Sequence, residues 1–225
     1  MTKFLASVDH LAEALLVAEL GADIVDLKQP AQGALGALPC HEVKDIVTGL
    51  NSVAQISATI GDLEFVPEII IPAVESMLDT GVDIVKIGLF PGGEIDACLA
   101  ALTPFTAHNH KLVLVLFADT GIDLQVIPAL AAAKFHGVML DTMYKSSGRL
   151  TDLLSLTQIS EFIVTAKTHQ LMTGLAGSLR ANDIPSLLNL DADYLGFRGA
   201  LCRGLQRTES IHPEHVSHIR QMILA

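Results

Sequence analysis

Short apolar runs alternate with longer amphipathic stretches along the whole chain. The runs predict strands at residues 4–8, 23–28, 53–60, 83–89, 111–119, 137–142, 171–176 and 194–199. The stretches between them predict helices at 11–20, 42–50, 66–80, 95–106, 125–134, 153–169, 183–190 and 212–224. Continuously apolar strands separated by helices are the mark of parallel strands buried on both faces. Eight such units in 225 residues point to an α/β protein with the (β/α)8 TIM-barrel architecture. A doubly wound open sheet is the competing arrangement. No Pro/Gly/Ser-rich linker divides the chain, which reads as a single TIM-barrel domain, residues 1–225.

A repeat supports the barrel. Gly21-Ala-Asp23-Ile-Val-Asp26-Leu-Lys28 recurs as Gly81-Val-Asp83-Ile-Val-Lys86-Ile-Gly88, with a weaker echo in Asp191-Ala-Asp193-Tyr-Leu-Gly196-Phe-Arg198. Each copy has the form of a helix C-cap followed by a strand, with Gly supplying a left-handed residue where it is present. The alignment makes Asp26, Lys86 and Gly196 equivalent, and likewise Lys28, Gly88 and Arg198.

Side chains two apart on a strand face the same way. Asp26 and Lys28 therefore share a face, which at the carboxyl end of a barrel strand is the lumen. Lys86, Asp141 and Arg198 have matching parity near the ends of later even-numbered strands, and alternate strands fill the same lumenal layer. Lys145 follows Asp141 by four residues and hangs over the same mouth. A lone strand lysine is as readily a structural ion pair, but several charges at the catalytic end of one barrel favour a site. A lysine crowded by cations in a partly dry pocket can be a neutral amine that attacks a carbonyl and forms a Schiff base. Nearby carboxylates can move protons in the carbon chemistry that follows.

The last two βα loops read as a phosphate cradle. Gly174-Leu-Ala-Gly177-Ser178 follows the seventh strand, with Asn182 as the expected helix N-cap, and Gly196-Phe-Arg198-Gly199-Ala200 follows the eighth. Glycine lets backbone N–H groups approach an anion, and these loops bind phosphate in many barrels. Gly177, Ser178, Arg198, Gly199 and Ala200 are the expected contacts.

Composition narrows the partners. There are 25 Asp and Glu against 14 Lys and Arg, a formal net charge of −11. That balance argues against a nucleic-acid surface but leaves room for a small anion held by a few gathered cations. No apolar stretch is long enough for a bilayer helix or a leader sequence. Cys40, Cys98 and Cys202 are widely spaced, odd in number and without a CxxC, as in a reduced cytoplasmic protein. His108 with His110, the trio His212, His215 and His218, and the pair Asp119 and Asp123 have some ligand spacing, but none completes a recognisable metal site. No metal is expected.

Together, Val25-Asp-Leu-Lys28-Gln-Pro30, Ile56-Ser-Ala-Thr-Ile-Gly-Asp62, Val85-Lys-Ile-Gly88, Met139-Leu-Asp-Thr142 with Lys145, Leu175-Ala-Gly-Ser178 and Phe197-Arg-Gly-Ala200 resemble the (5-formylfuran-3-yl)methyl phosphate synthase family, also called 4-(hydroxymethyl)-2-furancarboxaldehyde-phosphate synthase. The resemblance covers nearly the whole chain. It implies a TIM-barrel lyase that condenses two glyceraldehyde 3-phosphates into a furan phosphate, with loss of phosphate and water, for a methanofuran-type C1 carrier. It implies no cofactor. It assigns Lys28 as the Schiff-base residue, Lys86 as the proton acceptor, and Asp26, Asp141 and Lys145 as further active-site groups. One departure is that the family's lysine just before the third strand is absent from Asn51-Ser-Val53; if that lysine grips a phosphate, either another residue does so here or the affinity is weaker. The residues alone reach a Schiff-base enzyme for a phosphorylated carbonyl compound. A class I aldolase for another sugar phosphate and a non-catalytic phosphosugar-binding barrel are the alternatives. The expected partners are a triose phosphate and further copies of the chain.

Overall fold

A computed structural model describes residues 1–225, the side chain of Lys145 excepted. Eight strands close into a parallel barrel in chain order: β1 Lys3–Val8, β2 Ile24–Leu27, β3 Gln55–Thr59, β4 Ile84–Gly88, β5 Lys111–Phe117, β6 Gly137–Asp141, β7 Met172–Leu175 and β8 Tyr194–Phe197. Pairing of Leu5 with Gly196 between β1 and β8 completes the ring and excludes the open sheet. The surrounding helices are α1 Leu11–Glu19, α2 Cys40–Leu50, α3 Pro67–Leu78, α4 Ile95–Ala107, α5 Val126–Ala132, α6 Leu150–Leu153, α7 Leu156–Thr168, α8 Ile184–Leu188 and α9 Pro213–Leu224. Among the described residues, no helix is long and apolar enough to cross a membrane.

The helix predicted over 153–169 starts later, as α7 at Leu156, and Leu153 instead ends the separate short helix α6. Ser155 Oγ accepts the Gln158 N–H while Gln158 Oε1 accepts the Ser155 N–H, a reciprocal cap that starts α7 afresh. Asn182 is not the expected cap either. Asp183 holds the N-cap position of α8 without a side-chain cap bond; its Oδ2 instead accepts the Arg180 N–H at 2.8 Å and closes the short turn before the helix.

Apolar residues form two bodies. Phe4, Val25, Val85 and Leu114 belong to the jacket between strands and helices. Leu5, Ile24, Ile84, Val113, Met139 and Tyr194 pack the lumen, as the two-residue period requires. Above them Leu35, Phe90 and Phe117 close one side of the mouth, the two rings 4.8 Å apart. Gly88 permits that closure, since a Cβ there would lie 2.5 Å from the Phe90 ring and 2.9 Å from Leu35.

The repeat has a structural meaning at the opposite rim. Asp23 accepts the Phe4 N–H at 2.8 Å, Asp83 the Ile56 N–H at 2.7 Å, and Asp193 the Thr173 N–H at 2.7 Å. Each carboxylate thus ties an even strand to the odd strand before it. The chain enters each clamp through a left-handed residue two positions earlier: Gly21 at φ 87°, Gly81 at φ 88° and Asp191 at φ 59°. Lys134, at φ 57°, opens the same turn before β6, where His136 stands in place of the aspartate.

Candidate active site

The even strands deliver the chemistry to one end of the barrel. In register, Asp26 lies beside Ser7 and Ser57, and Lys86 beside Thr59. Asp26 is fully buried, and Lys86, Asp141 and Lys28 are 2, 3 and 7% exposed. Such charges stay buried only when compensated. Lys86 Nζ is 2.6 Å from Asp26 Oδ1, and the Ser57 and Ser7 hydroxyls donate to the two carboxylate oxygens at 2.7 and 2.8 Å. Lys28 Nζ lies 4.0 Å from Asp141 Oδ2. Burial by itself would push the Asp26 carboxyl up; the Lys86 and Lys28 ammonium groups and the Lys86 and Ser57 hydrogen bonds outweigh it and hold the carboxyl below its ordinary range.

These four groups line a cavity of about 220 Å³ that also reaches Gly177, Ser178, Arg198, Gly199 and Ala200. Gly177 and Ser178 follow one another at φ 106° and 52°; a Cβ at Gly177 would come within 2.8 Å of Thr142. Among the described residues, no protein acceptor takes the N–H groups of Gly177, Ser178, Gly199 or Ala200. An anion is the natural acceptor for such a set. The side chain of Lys145 lies outside the described residues. Its segment is fixed by Asp119, whose carboxylate accepts the Met143 and Tyr144 N–H groups at 2.7 Å each.

Arg198 is placed differently from the ligand contact expected of its side chain. Its guanidinium turns to the β1–α1 side, pairing with Glu13 and with Asp9 at 3.3 Å and donating to the Ser7 carbonyl at 3.2 Å. It also donates to Arg207 O at 2.8 Å and Glu209 O at 3.3 Å. Burial opposes ionisation of Glu13, yet Arg198 and the Ile211 N–H hold its carboxyl below its ordinary range. Arg198 is a strut beneath the segment that joins β8 to α9.

That segment supplies groups that periodicity did not reveal. It arches over the cavity through Gly204 and Leu205, consecutive left-handed residues at φ 59° and 61°. Arg207, at its far end, lines the cavity and donates to the Gly33 carbonyl beyond β2. Burial pulls the Arg207 guanidinium below the usual arginine range, while Asp141 and Asp62 act the other way. Arg180 stands on the wall beside the cradle, its Nη1 3.5 Å from Leu205 O. Neither arginine belongs to a repeated motif; the signal was only that basic residues are scarce. Ser7 and Ser57 looked like ordinary strand residues, and only strand register shows them on Asp26.

The ligating side chains considered for a metal do not converge here. Among the described residues, one group of three lies within 4.8 Å, namely Asp9, His10 and Glu13; Arg198 already compensates its two carboxylates. His212 and His215 lie near the end of β8. A bridge between Cys202 and Ile211 folds the start of α9 against the end of β8, and His215 Nδ1 lies 3.2 Å from Cys202 O.

A closed (β/α)8 barrel with paired lysines and carboxylates in a pocket at its carboxyl end has the make-up of an enzyme. Comparison with known proteins sharpens that class. The family model for 4-HFC-P synthase matches residues 4–220, and the chain belongs to that family. It is 34% identical over 227 residues to the (5-formylfuran-3-yl)methyl phosphate synthase of Methanopyrus kandleri, covering 95% of each chain. A Methylorubrum extorquens protein provisionally given the same name is 42% identical over 215 residues, with 96% of this chain and 89% of that one covered. In fold it is similar to 3-hexulose-6-phosphate synthase, with TM-score 0.70, 17% identity, and 99% of this chain and 100% of that one covered. It is equally similar to phosphoribosyl anthranilate isomerase of Thermotoga maritima, with TM-score 0.71, 12% identity, and 100% and 99% covered.

Proposed function

We propose that the protein is a lyase that condenses two molecules of glyceraldehyde 3-phosphate into (5-formylfuran-3-yl)methyl phosphate, releasing one phosphate and two waters, for a methanofuran-type carrier. Membership in the 4-HFC-P synthase family supports the product. The observation that carries the mechanism is a pair of buried lysines, each with its own carboxylate, in one cavity. Lys28 stands at the end of β2, nearer the mouth, and its amine adds to a substrate carbonyl; loss of water leaves the imine. The Lys86 ammonium gives its proton to the departing water as the imine forms; the imine nitrogen then draws electrons from the adjacent carbon, and the freed Lys86 amine takes the proton removed there. Asp26, fixed by Ser7 and Ser57, stays ionised and orients Lys86, while Asp141 attends Lys28 and Lys145 serves as a further group of the site. The Gly177–Ser178 and Gly199–Ala200 amides hold a substrate phosphate, with Arg180 adding charge at the rim. No cofactor enters the scheme. The enzyme works in the cytoplasm as a homo-oligomer.

Incubation with glyceraldehyde 3-phosphate alone should yield a furan aldehyde, recognised by mass and ultraviolet absorbance. Borohydride added during turnover should leave a reduced adduct on the Lys28 peptide. Lys28→Arg keeps the charge but cannot deprotonate, so turnover should fall about 10³-fold or more. An adduct on Lys86 or Lys145 with Lys28 unmodified would overturn the assignment.

A further inference from the structure

Two phosphorylated trioses bring two phosphates into one small cavity, and the cradle between β7 and β8 accommodates one. Arg207, half-buried on the arch after β8, lines the same cavity and carries its guanidinium to the Gly33 carbonyl in the loop after β2. Among the described residues no carboxylate lies within ion-pair distance of its guanidinium, which donates to the Gly33 carbonyl. Arg149, Arg198 and Arg220, by contrast, each sit on an acidic partner. A half-buried cation with a neutral partner, on the wall of a pocket already holding Asp26 and Asp141, is poised for an anionic ligand. Its placement is fixed beforehand: Arg198 donates to the Arg207 carbonyl at 2.8 Å and is itself anchored on Glu13. Such rigidity limits the ordering that binding would require.

Resting on the triose-phosphate reading above, we infer that Arg207 is the grip of a second phosphate-monoester subsite, on the β2 side of the cavity where its guanidinium meets the Gly33 carbonyl. The planar guanidinium turns from the Gly33 carbonyl to two oxygens of the phosphate, a geometry that lysine does not offer. This supplies the second anion contact that the missing lysine before β3 left open. It also places the second triose on the Lys28 side, since Gly33 lies in the loop that follows Lys28.

Calorimetric titration with inorganic phosphate tests this without requiring turnover. The wild-type protein should bind two phosphates per chain. Arg207→Gln should bind one, with the remaining affinity unchanged. Arg207→Lys guards against a folding defect: it should keep both sites with one weakened roughly 10- to 100-fold. With glyceraldehyde 3-phosphate, Arg207→Lys should raise KM by a similar factor while the borohydride adduct still forms on Lys28. A single phosphate on the wild type, or unchanged binding in both variants, would overturn the subsite. Absence of furan product from the wild type would remove the reaction assigned above, whereas the phosphate count decides Arg207 independently.

Discussion

Replacing Asp26 with Asn should destabilise the protein far more than its single atom change suggests. The carboxylate is fully buried, Lys86 is 2% exposed, and their polar atoms are 2.6 Å apart. Asn keeps the shape and one acceptor but leaves the Lys86 charge uncompensated in the lumen. Breaking one side of a buried pair costs about 3–5 kcal/mol, so Tm should drop by roughly 6–20 °C for a chain of this size. A double variant, Asp26→Asn with Lys86→Met, removes both charges and should recover most of the loss in urea unfolding, because a neutral pair of similar volume is often tolerated. The pH dependence follows from the lowered Asp26 carboxyl. A depressed folded-state pKa contributes stability fully above the unfolded value, about 3.9, and loses it as pH falls through the folded value. The gap between wild type and Asp26→Asn should therefore be widest near neutrality and narrow as the pH is lowered below about 4. A single variant within about 1 kcal/mol of wild type at pH 7, or a double variant no more stable than the single, would refute the reasoning.

Three further outcomes are expected. Burial pushes the Cys98 and Cys202 thiols up to about 11, whereas Cys40 is exposed; a disulfide reagent at pH 8 should titrate Cys40 alone in the native protein and all three thiols after denaturation, and rapid reaction of a second native thiol would contradict this. At Gly174 a Cβ would fall 2.4 Å from the Tyr194 ring, so Gly174→Ala should lower unfolding stability by about 1–3 kcal/mol; an unchanged urea midpoint would show that the ring can yield. Exhaustive EDTA treatment should leave turnover intact, and a loss restored by Zn²⁺ or Mg²⁺ would return the Asp and His clusters to consideration.

The fold was legible because buried parallel strands are apolar at every position and the helices between them are not. Observed strand ends lie within about two residues of the expected ones. Asp26, Lys28, Lys86 and Asp141 were legible for a related reason: each is a charge in an otherwise apolar run, with parity that points inward. What escaped depends on partners distant in sequence. Arg198 reads as one more lumenal cation until Glu13, 185 residues away, is seen beneath it. Arg207 and Arg180 sit in loops, where no period indicates direction. The aspartates of the repeat were visible as a pattern, but their work of binding a neighbouring strand's N–H exists only once the strands lie side by side. The break before α7 had a local signal, Ser155 with Gln158, overridden by an apolar rhythm that ran through it.

The rim clamps separate two kinds of evolutionary freedom. Asp23, Asp83 and Asp193 tie strand pairs at the amino-terminal edge, while the equivalent lumenal positions three residues on carry a carboxylate at Asp26, an ammonium at Lys86 and no side chain at Gly196. Met139 takes that place after the His136 variant of the turn. One backbone cassette therefore presents four different chemistries at the same depth. Retooling such a barrel for another phosphorylated substrate would require exchanging single side chains around a ring whose frame is held from the other end.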